Sequence, residues 1–484
     1  MRWLSARRRV RPASACRALA CGLACAAGLT VAEATFADAL SASQTAAPAR
    51  PAIAFHRWQE DWSVLADPAL RTQPLDRLKY LPLGGSPDRY LSLGANLRER
   101  FESNDAAGFG TAHRSADSRL LQRAQLHADL RWGPHVQVFT QLEDARTAGA
   151  ARVGPADANR LDLRQAFVAL NGPAGGGTWK LRAGRQEMGF DLQRFVAVRD
   201  GPNVRQAFDA LWLNWERGPW RVISFASQPV QYRSARTFDD YSNGHLRFGG
   251  FRVERQRVGP GDLAAYVAHY RRDDAHFPGV SGDERRDILD LRYAGQRGGL
   301  DWDLEAMRQT GRVGTKAVRA WATGARLGYT WDQPAWTPRL GLQLDSASGD
   351  RHAGDGRLGS FNPLFPNGYY FTLGGYTGYA NLLHVKPSIT VHPTARLDVL
   401  AAVGWQWRQT TADAVYLQPD VPVPGTAGHG GRRTGSYTQL RLDYRVSHQL
   451  HTDLEWVHYR VAPAIRQAGG HDADYLELEL SFGW

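Results

Sequence analysis

From Arg89 to the C-terminus the dominant period of the chain is two. In 90–102, Leu91, Leu93, Ala95, Leu97 and Phe101 share one face, with Ser92, Asn96, Arg98 and Arg100 on the other. In 119–132, Leu120, Ala124, Leu126, Ala128, Leu130 and Trp132 oppose Arg123, Gln125, His127, Asp129 and Arg131. The last stretch is the cleanest: Leu476, Leu478, Leu480, Phe482 and Trp484 against Glu477, Glu479 and Ser481. Strict alternation is the mark of strands with one apolar face.

Eighteen such strands are predicted, from 89–102 to 473–484. They include 262–272, 286–295, 299–310 and 317–332. Connection length separates a soluble sandwich from a membrane barrel. Tight turns follow strands two, six, eight, twelve, fourteen and sixteen, as at Gly133-Pro134, Gly218 and Ser447-His448. Longer connections follow the odd strands, up to Gly349–Gly378 and Thr411–Arg433. Short turns on one side and long loops on the other belong to outer-membrane barrels. The expected fold is therefore all-β: a single antiparallel transmembrane β-barrel of about eighteen strands, with long extracellular loops and short periplasmic turns, over 89–484. Trp405, Trp407 and Trp456 on apolar faces are expected at the membrane interface.

The first 39 residues read as an address. Six arginines precede an apolar run, Ala18–Val31, and small residues offer cleavage after Ala34 or Ala39. That is the layout of a secretory signal peptide. All three cysteines lie within it, so the expected mature chain has no disulfide and no Cys-based metal site. Neither Cys21 nor Cys25 has an aliphatic residue three positions before it, which argues against a lipoprotein signal. Cleavage lowers the formal charge from +11 to +6. Residues 40–88 read as an N-terminal irregular segment at the periplasmic end or folded into the pore, since Pro68, Pro74 and Pro82 break any period. No later stretch has the 18 consecutive apolar residues of a membrane helix. The expected location is the bacterial outer membrane.

Candidate chemistry concentrates in 182–211, RAGRQEMGFDLQRFVAVRDGPNVRQAFDAL. Strand pattern stops there for about twenty residues. Arg185, Arg194, Arg199 and Arg205 fall within the break, alongside Asp191, Asp200 and a Gly201-Pro202-Asn203 turn. Parity aims Arg98, Arg100, Arg123, Arg164, Arg182 and Arg441 into the lumen, with acids such as Glu102, Glu143 and Asp443 among them. Guanidinium groups at a constriction would draw in anions, while interspersed acids would let a polyanion leave. The anion-binding set expected from this pattern is Arg98, Arg100, Arg123, Arg164, Arg182, Arg185, Arg199, Arg205, Arg441 and Asp200. The plain alternative is that many of these arginines pair with acids and brace the wall. Asp345, Asp350 and Asp355 among glycines make a weak calcium candidate, without the spacing of a twelve-residue calcium loop. No phosphate loop, dinucleotide fingerprint or GxSxG is present, and no cofactor or nucleic-acid partner is expected. A surface hydrolase would need Ser and His side by side, and periodicity offers no such pair.

Three stretches also resemble the alginate export family of outer-membrane barrels: GRQEMGF…RFVAVRDGPNVRQAFD, EDWSVLADPALRTQPLDRLKYLPLG at Glu60–Gly84, and FNPLFPNGYYF at Phe361–Phe371. The resemblance implies a channel exporting an anionic, alginate-like polysaccharide. Its partners would be that polymer, outer-membrane lipid, the barrel assembly machinery and periplasmic export components. The terminal aromatic resembles an assembly signal, with Trp484 where Phe is usual. An anion-selective diffusion porin taking up small acidic solutes is the alternative reading.

Overall fold

The computed structural model describes residues 50–484, apart from 114, 115, 333, 334 and 373 and the side chains of 112 and 113. The signal-peptide reading falls outside the described residues. Eighteen antiparallel strands form the wall: β1 Arg89–Asn104, β2 Asp117–Trp132, β3 Val136–Ala148, β4 Asn159–Ala174, β5 Gly177–Gln186, β6 Phe208–Arg217, β7 Trp220–Gln231, β8 Leu246–Val258, β9 Gly261–Phe277, β10 Val280–Arg297, β11 Leu300–Val313, β12 Lys316–Thr330, β13 Arg339–Ala347, β14 Leu382–Thr394, β15 Leu397–Trp407, β16 Arg433–Arg445, β17 Leu450–Val461 and β18 Ala473–Gly483. Each pairs with its neighbour in sequence, and β18 returns to β1 through Asn96↔Gly483 to Asn104↔Tyr475. The sheet is closed and has no free edge.

Alternation has the physical consequence expected of it. Leu126, Leu211, Phe251, Val267, Leu289 and Leu478 are more than half exposed, and all point outward. Soluble proteins rarely expose an apolar surface this continuous; a lipid-facing belt requires it. Polar residues of the other parity, such as Arg98, Gln125, Glu143 and Asp290, are buried inside the barrel. Trp132, Trp179, Trp215, Trp220, Tyr293 and Tyr329 stand near the short-turn end, where an aromatic girdle belongs.

Two outer connections differ from expectation. Strands β9 and β10 run on to a turn at Pro278-Gly279, and β11 and β12 to one at Gly314-Thr315, where longer loops were predicted. Pairing resumes at Ala275↔Gly282 after a break in register beyond Arg272. The register break flips the alternation: Tyr270 and Ala275, of opposite parity, are both buried, and Phe277 and Val280 pack on the inner cluster, so no single period runs through the stretch. Ladder hydrogen bonds and this inner packing extend it past the lipid-facing belt.

Residues 50–88 form short turns against the inner wall at the periplasmic end. Trp58 O accepts from Arg131 and Gln137 at 2.8 Å each, and the Arg57 guanidinium donates to Trp484 O at 2.7 Å. The short strand 81–82 pairs with β1.

Candidate functional site

Strand pattern ends at Gln186 because the chain turns into the barrel. Met188, Phe190, Phe195 and Val196 pack with Phe361, Phe365, Tyr370 and Phe371 of the connection 348–381. The two connections run side by side, through Ala197 N donating to Phe365 O and Phe365 N donating to Phe195 O, each at 2.9 Å. Inward aromatics of the wall, including Trp212, Phe225, Phe248 and Tyr266, complete this cluster.

Its anchors show where the pair lies. At one end Asp191 takes both nitrogens of Arg252 from β8, at 2.6 and 2.7 Å, and Arg292 from β10 at 2.9 Å. Arg194 reaches Asp303 and Glu305 of β11 at 2.5 and 2.6 Å, and Tyr370 Oη at 2.6 Å. At the other end Arg98 and Arg100 of β1 donate to Asp200 O and Gly201 O, at 2.8 and 2.6 Å. Arg123 of β2 holds the Asp200 carboxylate at 2.6 Å. Asn203 Nδ2 faces the carbonyls of Gln122, Arg146 and Asp157, each at 3.0 Å. Strands β8–β11 and β1–β2 lie on opposite sides of an eighteen-stave wall. Loop 187–207 therefore crosses the bore as a crossbar.

The crossbar backbone is constrained. Asp191, Gln193 and Arg199 have φ near +55°. Side chains rarely adopt this region, and surrounding contacts must hold it. A Cβ at Gly201 would collide with the Tyr369 ring, whose hydroxyl donates to Gly201 O at 2.9 Å. Only glycine fits there.

Arg123 and Arg205 converge on the Asp200 carboxylate and Arg98 on the backbone carbonyl of the same residue, while the Asp200 side chain still keeps 35% of its surface exposed. Burial disfavours its charge. The guanidinium groups of Arg123, Arg205 and Arg98 outweigh that and hold the carboxyl well below the usual carboxylate range. Asp200 is thus a fixed anion inside a guanidinium cage.

The other expected residues divide by partner. Arg100 pairs with Glu479, Glu477 and Glu102. Arg164 pairs with Glu143 at 3.1 Å, and Arg205 with Glu187 at 2.9 Å. Arg441 pairs with Asp443 at 3.0 Å. Arg182 and Arg199 have no carboxylate within ion-pair distance among the described residues. The Arg182 guanidinium instead lies 4.3 Å from the Trp58 ring and 5.4 Å from that of Trp212. Arg185 is not lumenal. Strand β5 continues to Gln186, so Arg185 shares the outward parity of Trp179, Leu181 and Ala183 and pairs with Asp209 at 2.9 Å.

The three aspartates of the calcium candidate are not gathered. Asp345 accepts from Tyr370, Tyr379, Gln343 and His384. Asp350 faces Lys316 at 3.9 Å, and Asp355 caps the Arg357 amide. The sequence shows the crossbar's own charges, and parity also turns Arg292 inward, but it does not single out the partners Arg252, Asp303 and Glu305. Their inward parity was the available signal; pairing across 61 to 111 residues leaves none.

A closed barrel with an apolar outer belt, a polar wall and a charged crossbar defines an outer-membrane channel protein. The chain belongs to the alginate export family: the model described as "Alginate export" matches residues 89–479. No curated protein matches the sequence significantly. Solved structures share the fold. Pseudomonas aeruginosa OccK9 (OpdG) is 14% identical, with a TM-score of 0.55 over 81% of this chain and 98% of that one. Pseudomonas aeruginosa OccK2 (OpdF), solved in complex with glucuronate, is 14% identical, with a TM-score of 0.53 over 81% and 97%.

Proposed function

We propose that this channel passes an acidic polysaccharide outward across the outer membrane. The observation that carries the reading is the hold of Arg123 and Arg205 on the Asp200 carboxylate, with Arg98 beside them on the Asp200 carbonyl. A uronate chain carries a carboxylate on every sugar, the same group that Asp200 presents. An arriving uronate can replace Asp200 in the cage, and the crossbar can swing aside by exchange of one carboxylate for another. The exchange avoids leaving guanidinium groups buried and unpaired, the step that would cost most. Acids along the wall keep the polymer from being retained. Arg182 and Arg199 supply positive potential that no local carboxylate cancels. The anionic polymer and periplasmic components that deliver it are the partners of this reading.

Uptake of small acidic solutes is the second reading. The fold likeness to OccK2, solved with glucuronate, favours it.

Planar-bilayer recordings test the proposal. Wild-type channels should prefer anions, and uronate oligomers added from the periplasmic side should cross. Arg182→Glu with Arg199→Glu should abolish or reverse the preference. An unchanged reversal potential in that double variant would leave the two arginines as structural. Passage of uronate monomers but not oligomers would favour uptake.

A further inference from the structure

The outer surface of the barrel carries a second cationic array, unconnected with the bore. Arg247 of β8 lies directly opposite Arg271 of β9, Arg271 opposite Arg285 of β10, and Arg285 opposite Arg312 of β11. All four have the outward parity of Phe251, Val267, Leu289 and Ala306. Four guanidinium groups thus stand in one row across about 14 Å, at a strand spacing of about 4.8 Å. Like charges directly opposed on a sheet destabilise it. Arg271 reaches Asp273 at 3.4 Å, and the other three have no carboxylate within ion-pair distance among the described residues. One carboxylate against four guanidinium groups leaves the row largely without offsetting anions.

Its height is informative. Arg271 is ten residues from the start of β9, and Arg312 is twelve from the start of β11, both counted from the short-turn end. A barrel strand crosses the hydrocarbon in about 9–11 residues. The row therefore stands at the outer boundary of the membrane, at the level of lipid headgroups. His269 sits one step below it and Arg308 two, and His269 contacts Asp287 at 2.9 Å.

Beneath the row lies a groove of about 1220 Å³ in the lipid-facing surface. Its floor is lowered by Gly249 and Ala226, and Leu211, Phe251, Val267 and Leu289 rise around it. Arg247 and Arg308 border the groove itself. A cationic row above a concave apolar surface matches a molecule with phosphates at one end and hydrocarbon chains at the other.

We propose that this face binds a phosphorylated, multiply acylated glycolipid of the outer leaflet, as in the lipid portion of lipopolysaccharide. Phosphate would bridge neighbouring arginines through charge-assisted hydrogen bonds, and acyl chains would lie in the groove. The bound lipid would neutralise the arginine row and seat these strands in the leaflet.

The test is native mass spectrometry of the full chain, released from detergent, with three probes. These are bis-phosphorylated hexa-acyl lipid A, the same lipid without phosphate, and inorganic phosphate. The phosphorylated lipid should be retained, and Arg285→Gln with Arg312→Gln should weaken its binding about tenfold or more. Arg445→Gln, at the opposite rim, should leave it unchanged. Should the double variant fail to give a heat-modifiable barrel, Phe251→Ser in the groove provides the second reading and should also weaken retention. Equal binding of the dephosphorylated lipid would overturn the proposal. So would displacement of the lipid by inorganic phosphate at equal concentration, or undiminished binding by the variants.

Discussion

Among individual residues, the position of a charge decides its role more than its type does. Arg98, Arg100 and Arg123 lie on lumen-facing parity, and their guanidinium groups are spent on the crossbar and on acids of the wall. Arg182 shares their parity but meets aromatic faces, so its charge is left for the lumen. Asp420, in the outer connection 408–432, makes the point with an acid. Burial lifts its carboxyl to about 8; Arg286 pulls it down, while Asp413 and Glu284 push it up further. A carboxyl raised in the folded loop favours folding at low pH. The loop is most stable below the ordinary carboxylate range, loses stability as pH rises towards 8, and levels off above it. Protease nicking of 408–432 should therefore increase between about pH 5 and about pH 8. Asp420→Asn should flatten that dependence. The same rise in the variant would mean that another group controls the loop.

At the scale of elements, the crossbar depends on its two ends. Arg194 is fully buried and is the partner of both Asp303 and Glu305. Removing one partner of such a network costs about 3–5 kcal/mol. Arg194→Ala should leave the barrel intact on unheated gels while raising single-channel conductance and current noise. Unchanged conductance would show that the crossbar does not obstruct the current path. Labelling of single cysteines tests the topology. A cysteine at Asp355, which is exposed, should react from outside intact cells. One at Phe365, buried against Phe208 and Phe248, should not, nor should one at Gly133 in a short turn. Reaction at Gly133 but not Asp355 would invert the barrel.

The same elements show what the sequence could reveal. A strand facing lipid on one side and a polar lumen on the other has a period of two, so the staves and their order were legible. The hairpin tips at 278–279 and 314–315 were not, because there Ala275, Phe277, Val280 and Val313 pack inward and the outer face is polar, the reverse of the pattern below. The connection 187–207 was legible as a break in period. Its route across the bore was not, because Asp191 meets Arg252 and Arg194 meets Asp303 only after the wall has closed. Arg185 was misassigned to the lumen by treating its strand as finished too early.

For the whole molecule, one fold combines three environments: an apolar belt, a charged bore and an outer rim bearing a row of arginines, of which Arg271 alone in the row meets a carboxylate among the described residues. The crossbar links the first strands to the middle of the barrel, so closing the wall and placing the constriction are one event. In the functional account, the Asp200 carboxylate is a resident anion that competes with cargo for Arg123 and Arg205. The most direct measurement of that claim is block of single-channel current by uronate oligomers in wild type and in Asp200→Asn. Removing the resident carboxylate vacates a charge-assisted contact, so the variant should bind oligomers about tenfold or more tightly, with longer block events. Equal or weaker block in Asp200→Asn would contradict the account, because the cage would then not be where the cargo binds.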